Sequence, residues 1–363
     1  MSATLKVKFN NRKDTDFVTE LRSSVDDYFK AKGISTYANA AMVFKTIALF
    51  TITFAPYFLI LFVPMPIWAM ALLAMVIGIG FAGIGFSVGH DALHNAYSSN
   101  STVNYLLGLS FNLVGANDYI WKIKHNQRHH TYTNIYQKDE DLEAGYLLRF
   151  SPKAPWNKVH GFQAYTAYFI YSLFSLGWVV FFDIEKLFLY NGNGSPNGNV
   201  KHPRAELIKL FAFKIFYFAY MLVLPMFVLP IPWWYVLIGF VIMHLTAGLI
   251  LTLVFQLAHV IEEVNFPEPE MPSGLVDNAW AVHQMETSAN YATGNKLLTW
   301  YVGGLNYQVE HHLFPNICSI HYPEISPIVQ RIAKKYNVTY HNEHGFFSAL
   351  SSHHRLLVRL SKP

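Results

Sequence analysis

Three short histidine runs carry the chemistry of this chain. In His90-Asp91-Ala92-Leu93-His94 the i, i+4 spacing puts both imidazoles on one helix face. In His125-Asn126-Gln127-Arg128-His129-His130, His125 and His129 share a face and His130 projects about 100° away. The third run, Gln308-Val309-Glu310-His311-His312, ends in adjacent histidines that diverge, as they would if each served a different metal ion. With His259 these make eight imidazoles, too many for one ordinary ion. Imidazole in this number suits a pair of borderline transition metals such as iron, whereas a structural zinc closes with four ligands. The single cysteine, Cys318, excludes an internal disulfide and a cysteine-based zinc or iron–sulfur site within one chain. The expected site is therefore nitrogen-rich and dinuclear, with two irons held by His90, His94, His125, His129, His130, His259, His311 and His312. Gln308, one turn before the last two, could add an amide oxygen or hold metal-bound water.

One HxxxH at a helix end is as readily interfacial packing, and HNQRHH alone a basic surface turn. Three clusters and His259 on one face of a membrane outweigh that reading. Candidates to orient the ligand rings from behind are Asp91, Asp139, Asp141, His283 and Glu286. His160, His202, His321, His341, His344, His353 and His354 lie in polar surroundings and read as surface residues. His244 falls within an apolar stretch and is expected to be neutral, hydrogen-bonded and turned into the bundle.

The elements that position the clusters follow from two charge-free stretches, Thr46 to Gly89 and Ile215 to Ala258, each 44 residues long and each running into a histidine. As one helix each would be about 66 Å long, roughly twice the ~30 Å hydrocarbon thickness. Both must fold back, at Pro64 and Pro66 and at Pro230 and Pro232. This predicts an all-α integral membrane protein with four transmembrane helices in two hairpins, about 46–63, 67–89, 207–229 and 233–258, under a cytoplasmic helical cap that carries the histidines. Hydrophobic residues at 52% and aromatics at 16% fit a multi-pass membrane protein. A net charge of +4 is too small to recommend nucleic acid as a partner.

The segment 162–182 is also long enough to cross, but a crossing there would send His259 to the opposite face from His90. It is therefore expected in or near the interface, and the stretch 103–115, too short to cross, as a re-entrant or surface helix. Lys214 would snorkel, and 191–199 is a turn-rich loop. Basic residues of the N-terminal segment and of the 183–209 loop, including Lys201, place both termini and the clusters on the cytoplasmic side, in a bacterial inner membrane or endoplasmic reticulum. The first span has no cleavage-like end and is expected to stay. The organisation is a cytoplasmic segment 1–45, a membrane domain 46–315 and a cytoplasmic tail 316–363, with Ile325, Ile328, Val329, Ile332 and Tyr336 marking an amphipathic helix.

HDALH, HNQRHH and QVEHH, in this order and separated by membrane hairpins, resemble the histidine boxes of the membrane fatty acid desaturases over about 85–327. The resemblance implies two irons that activate O₂ to remove two hydrogens from an acyl chain, leaving a cis double bond. Glutamine opening NYQVEHHLFP looks like the front-end, linoleoyl-CoA desaturase-like branch, and FQLAHV looks like the place of the family's additional histidine, His259. Two departures stand out. There is no haem-binding His-Pro-Gly-Gly, so electrons are expected from a separate donor such as ferredoxin or cytochrome b5 with its reductase. Where stearoyl-type relatives carry an Asn four residues before the extra histidine, this chain has Phe255, followed by Gln256.

The substrate implied is a fatty acyl chain on CoA, a carrier protein or a membrane lipid, held in an apolar tunnel for which Trp121, Tyr132, Trp300 and Tyr307 are candidate walls. The near alternative is a diiron lipid hydroxylase or ketolase. The alternative of another class is a non-catalytic zinc-binding membrane protein, which the charge-free spans disfavour as a transporter.

Overall fold

The computed structural model describes residues 6–190 and 202–363, so the loop expected at 191–199 and Lys201 lie outside the described residues. Helix α1 is Thr15–Lys32. Among the described residues, five further helices are long and apolar enough to cross a membrane: α2 (Ala40–Phe62), α3 (Ile67–Leu93), α4 (Lys158–Tyr190), α5 (Arg204–Val228) and α6 (Trp233–His259). Their starts have local causes. Asn39 accepts a hydrogen bond from the Met42 N–H at 3.1 Å and opens α2. Pro66 and Pro232 stand immediately before α3 and α6, where a missing N–H costs nothing.

α3 and α6 run parallel in close contact, so the histidines at their ends emerge together. A Cβ on Gly78 would lie 2.4 Å from the Met243 carbonyl oxygen, and Gly85 faces Leu251. The far ends, with Ile67 and Val236, share an apolar crevice with Tyr57 and Leu229. α4 packs on the other side of α6. Gly248 allows this approach, since a Cβ there would be 2.3 Å from the Ser172 carbonyl oxygen. His244 is fixed between α4 and α5, with Ser175 Oγ 2.6 Å from Nδ1 and Tyr217 Oη 2.7 Å from Nε2. It is buried, hydrogen-bonded and inside the bundle.

α4 is longer than the 162–182 stretch suggested, and its two ends are tied to the same group of elements. Gln163 Nε2 donates to the Leu357 carbonyl at 3.0 Å, and Tyr190 Oη donates to Glu140 at 2.8 Å. The 103–115 region forms two short helices, Ser101–Gly108 and Ser110–Leu113. Lys214 does not snorkel. Its Nζ is buried 2.7 Å from Asp183 Oδ2 and 2.7 Å from the Gly115 carbonyl oxygen, so the ammonium is paired inside the protein.

Among the described residues, the layer of segments around the histidine ends of α3 and α6, the cap, combines short helices and loops with two short parallel strand pairs, Lys8–Phe9 with Leu275–Val276 and Ala289–Tyr291 with His341–Glu343. These pairs, absent from the all-α expectation, tie segments from both ends of the chain to the cap. The tail helix is Tyr322–Lys335, and its Ile325, Val329 and Ile332 pack against Phe17, Leu21, Val25 and Phe29 of α1. Four histidines expected at the surface are buried because each ring finds a partner: His160 at Asn157, His202 at Tyr119 and the Leu187 carbonyl, His321 at the Tyr37 carbonyl, and His353 at Tyr171 and the Val260 carbonyl.

The Lys214–Asp183 pair makes a specific prediction. Lys214→Met should destabilise the protein by about 3–5 kcal/mol because it strands a buried carboxylate. The double variant Lys214→Met/Asp183→Leu should recover most of the loss, read as the thermal unfolding midpoint in detergent.

Candidate metal centre

The three histidine runs and His259 converge at the cap end of α3 and α6. α3 changes to a π-helical turn over Ile84–Gly89 just before His90, and a second π turn, Ile123–His129, carries His125 and His129. Such turns concentrate at functional sites. The second corrects the expected direction of His130. With i→i+5 spacing, His130 returns alongside His125, their Nε2 atoms 3.1 Å apart.

Among the described residues, two groups that share no residue result, each with ligand atoms within 4.8 Å of one another: His90, His94, His125 and His311 in one, and His129, His259 and His312 in the other; Asp141 with His125 and His129 makes a further group that overlaps both. His130 groups with His311 and His312, between them. All eight are buried except His94, which is partly exposed. The adjacent His311 and His312 fall into different groups.

The rings are oriented from behind. His129 Nδ1 donates to Asp139 Oδ2 at 3.0 Å, His259 Nδ1 to the Thr287 carbonyl at 3.1 Å, and His312 Nδ1 to Gln284 Oε1 at 2.7 Å. Tyr322 Oη is 3.2 Å from His311 Nδ1. A neutral ring with its proton on Nδ1 presents a lone pair at Nε2. The Nε2 atoms of His259 and His312 therefore face each other as lone pairs 3.2 Å apart, with the Gln308 amide 2.9 Å from the first. Nε2 of His90, His94, His129 and His311 is buried with no hydrogen-bond partner. Buried acceptors left unpaired in this way are costly, and a cation among them removes the cost. The donor set fits a metal.

The other candidates divide. Asp139 stands behind His129, and Asp141 lies 3.5 Å from the same nitrogen while pairing with Lys124 at 2.5 Å. Asp91 turns elsewhere. Its Oδ2 accepts from Ser319 N at 3.0 Å and Ser319 Oγ at 2.8 Å, and Oδ1 is 3.7 Å from His90 Nδ1, too far to bond. Glu286 accepts from Asn278 at 2.9 Å, away from the imidazoles. His283 is buried with its ring 4.9 Å from Phe9 and joins neither group.

Of the expected tunnel walls only Trp121 is at the clusters. It stacks on His125 at 4.3 Å and meets His90 and His94 edge-on. Tyr132 packs with Val7, Ile135 and Val276, Trp300 with the α2–α3 core, and Tyr307 Oη donates to the Thr293 carbonyl. Nearness in sequence did not fix where these rings point. Phe255, by contrast, stands 5.0 Å from both His129 and His259. Gln284, Thr287 and Tyr322 were not singled out from sequence, although Gln284 sits in the polar HQMETSAN run beside His283.

Burial, reinforced by neighbouring imidazoles, holds His94, His125, His130, His311 and His312 well below the ordinary histidine value of 6.5. Burial also lowers His129, but the Asp139 and Asp141 carboxylates outweigh it and raise the net value. The five depressed groups bind more protons unfolded than folded. Their neutral form stabilises the fold above the unfolded value, and that stability is lost as pH falls below about 6.5. The metal-free protein should therefore unfold at a progressively lower temperature between about pH 7 and about pH 5, measured by intrinsic fluorescence in detergent.

Comparison with known proteins agrees with this geometry. Residues 66–344 match the family model described as fatty acid desaturase. The chain is 36% identical, over 99% of its length and 96% of the relative's, to the sn-1 linoleoyl-lipid 6-desaturase of Arthrospira platensis. It is 35% identical, over 98% of both, to the protein of that name from Synechocystis sp.. To the acyl-lipid (8-3)-desaturase of Physcomitrium patens it is 30% identical, over 96% of this chain and 72% of the relative. A match over most of the chain, spanning all three histidine runs and His259, means that the chain belongs to the fatty acid desaturase family.

Proposed function

We propose that this desaturase is a front-end enzyme acting on acyl chains of membrane lipids, with two irons at the histidine groups. His90, His94, His125 and His311 would hold one, and His129, His259 and His312 the other, with Gln308 beside the second and His130 between them. The observation that carries the assignment is the set of buried Nε2 atoms with no hydrogen-bond partner, at His90, His94 and His311 in one group and at His129 in the other. When bound, the irons supply the O₂-dependent oxidation in which a CH₂–CH₂ pair, O₂, two electrons and two protons become CH=CH and two waters. The protein supplies position. Trp121 and Phe255 offer apolar faces against opposite groups, and Asp139, Gln284 and the Thr287 carbonyl keep the imidazoles in one tautomer. A separate donor, ferredoxin or cytochrome b5 with its reductase, would deliver the electrons. The acyl-lipid and front-end reading draws on the relatives, two of which are named for lipid-linked linoleoyl substrates.

The topology we propose has α2, α3, α5 and α6 crossing and α4 lying in the interface on the cytoplasmic side. The shared attachment of both α4 ends to the cap supports this. So do the exposed rings of Phe162, Tyr165 and Phe169 along one side of it. The N-terminal segment 1–45 and the tail 316–363 then form one cytoplasmic layer with the loops of the membrane domain 46–315, consistent with the packing of α1 on the tail helix.

Two measurements test these readings. Acyl chains of cells expressing the protein with a reductase system should contain a new double bond between an existing one and the carboxyl end, absent with His312→Ala. A hydroxylated or keto product would overturn the desaturation, and an inert zinc-loaded protein would overturn the redox site. In a Cys318→Ser background, Lys158→Cys and Glu185→Cys should both react with an impermeant thiol reagent from the cytoplasmic side. Labelling from opposite sides would mean that α4 crosses.

A further inference from the structure

We propose that the two-residue turn Thr133-Asn134, acting with Gln284, is the positioning device of the three-histidine group alone, so that occupancy of the two metal positions is set by separate parts of the protein. The inference rests on the two-iron reading above. Each ring in the group of His129, His259 and His312 has its Nδ1 held, by Asp139, the Thr287 carbonyl and Gln284 respectively. All three holders are in turn bonded to this one turn. The Asn134 backbone N–H donates to Asp139 Oδ2 at 2.9 Å, the same oxygen that His129 uses. Asn134 Nδ2 reaches three carbonyls, those of His259 at 2.9 Å, Asn265 at 3.1 Å and Thr287 at 3.4 Å. Thr133 Oγ1 lies 2.8 Å from both the His129 carbonyl and Gln284 Oε1. One turn therefore connects the end of the second histidine run, the end of α6 and the Trp280–Thr287 helix.

The four-histidine group is built differently. Among the described residues only His311 of that group has a ring nitrogen hydrogen-bonded outside the cluster, to Tyr322, and neither ring nitrogen of His90 has a partner. Its rings are placed chiefly by the helices that carry them. Removing the turn's amide should therefore loosen one group and spare the other.

The residue type at 134 makes a clean test possible. Its φ is +58°, in the left-handed region that asparagine and glycine both tolerate, and it is buried. Asn134→Gly keeps the backbone and its N–H to Asp139 and deletes only the side-chain amide. Gln284→Leu removes the acceptor behind His312, and Gln284→Glu keeps an oxygen there.

Ferrous iron binding to full-length protein in detergent would be titrated anaerobically, with Mössbauer spectra of samples loaded with enriched iron and thermal midpoints of the metal-free forms. Wild type should take two irons per chain. Asn134→Gly and Gln284→Leu should bind the first iron like wild type and the second about 10- to 100-fold more weakly, the usual cost of losing a residue that orients a ligand. Gln284→Glu should restore the second. If Asn134→Gly fails to fold, the Leu and Glu variants at Gln284 carry the test between them. Wild-type affinity for both irons in Asn134→Gly and Gln284→Leu, or equal weakening of both, would overturn the proposal. Failure of the wild type itself to take two irons would instead overturn the reading on which it stands.

Discussion

Neutral imidazoles packed with their bare nitrogens toward one another repel unless a cation lies among them, and four of the eight rings that meet at the cap end of this bundle bury an Nε2 with no hydrogen-bond partner. Much of the rest of the molecule can be understood as holding that arrangement. Each buried ring left unprotonated and unpaired has a cost that a well-packed apolar side chain would not have. The surroundings answer by fixing the opposite nitrogen of four rings, through Asp139, Gln284, Thr287 and Tyr322. A cluster unfavourable by itself is thereby prepared for metal.

The bundle meets this constraint with paired glycine approaches. α3 and α6 deliver His90 and His259 to the same end of the bundle because Gly78 lets the two backbones come together, and Gly248 brings α4 against α6 on the other side. The cap then closes the site from sequence-distant pieces. Asp91, inside the first histidine run, holds the Ser319 turn that leads into the tail helix, and Tyr322 at the start of that helix touches His311. Segments more than 200 residues apart in the chain thus contact the same histidine runs.

What was legible in the sequence had a local or a simple physical origin. The breaks between α2 and α3 and between α5 and α6 follow from proline and from the bilayer thickness, which no 44-residue apolar helix can match. The tail helix follows from its periodicity, and the histidine set from its composition and spacing. What was not legible depended on partners. Asp139 and Gln284 stand behind ligand candidates while Asp91 and Glu286 do not, yet all four are polar residues in or near histidine-containing runs. His160, His202, His321 and His353 looked like surface residues because the groups that receive their rings are supplied by folding. Trp121 reached the clusters and Tyr132 did not, although each lies close to the second run.

The sequence by itself determined the membrane character, the family and the eight imidazoles, because these rest on hydropathy, on residue type and on short-range spacing. Only the tertiary structure decided how the imidazoles divide into groups, which nitrogen each ring presents, and which residues stand behind it. The reason is geometric. A π turn redirects His130 within a run whose residues are unchanged, and the tautomer of a ring is set by the acceptor that long-range packing brings to its other nitrogen.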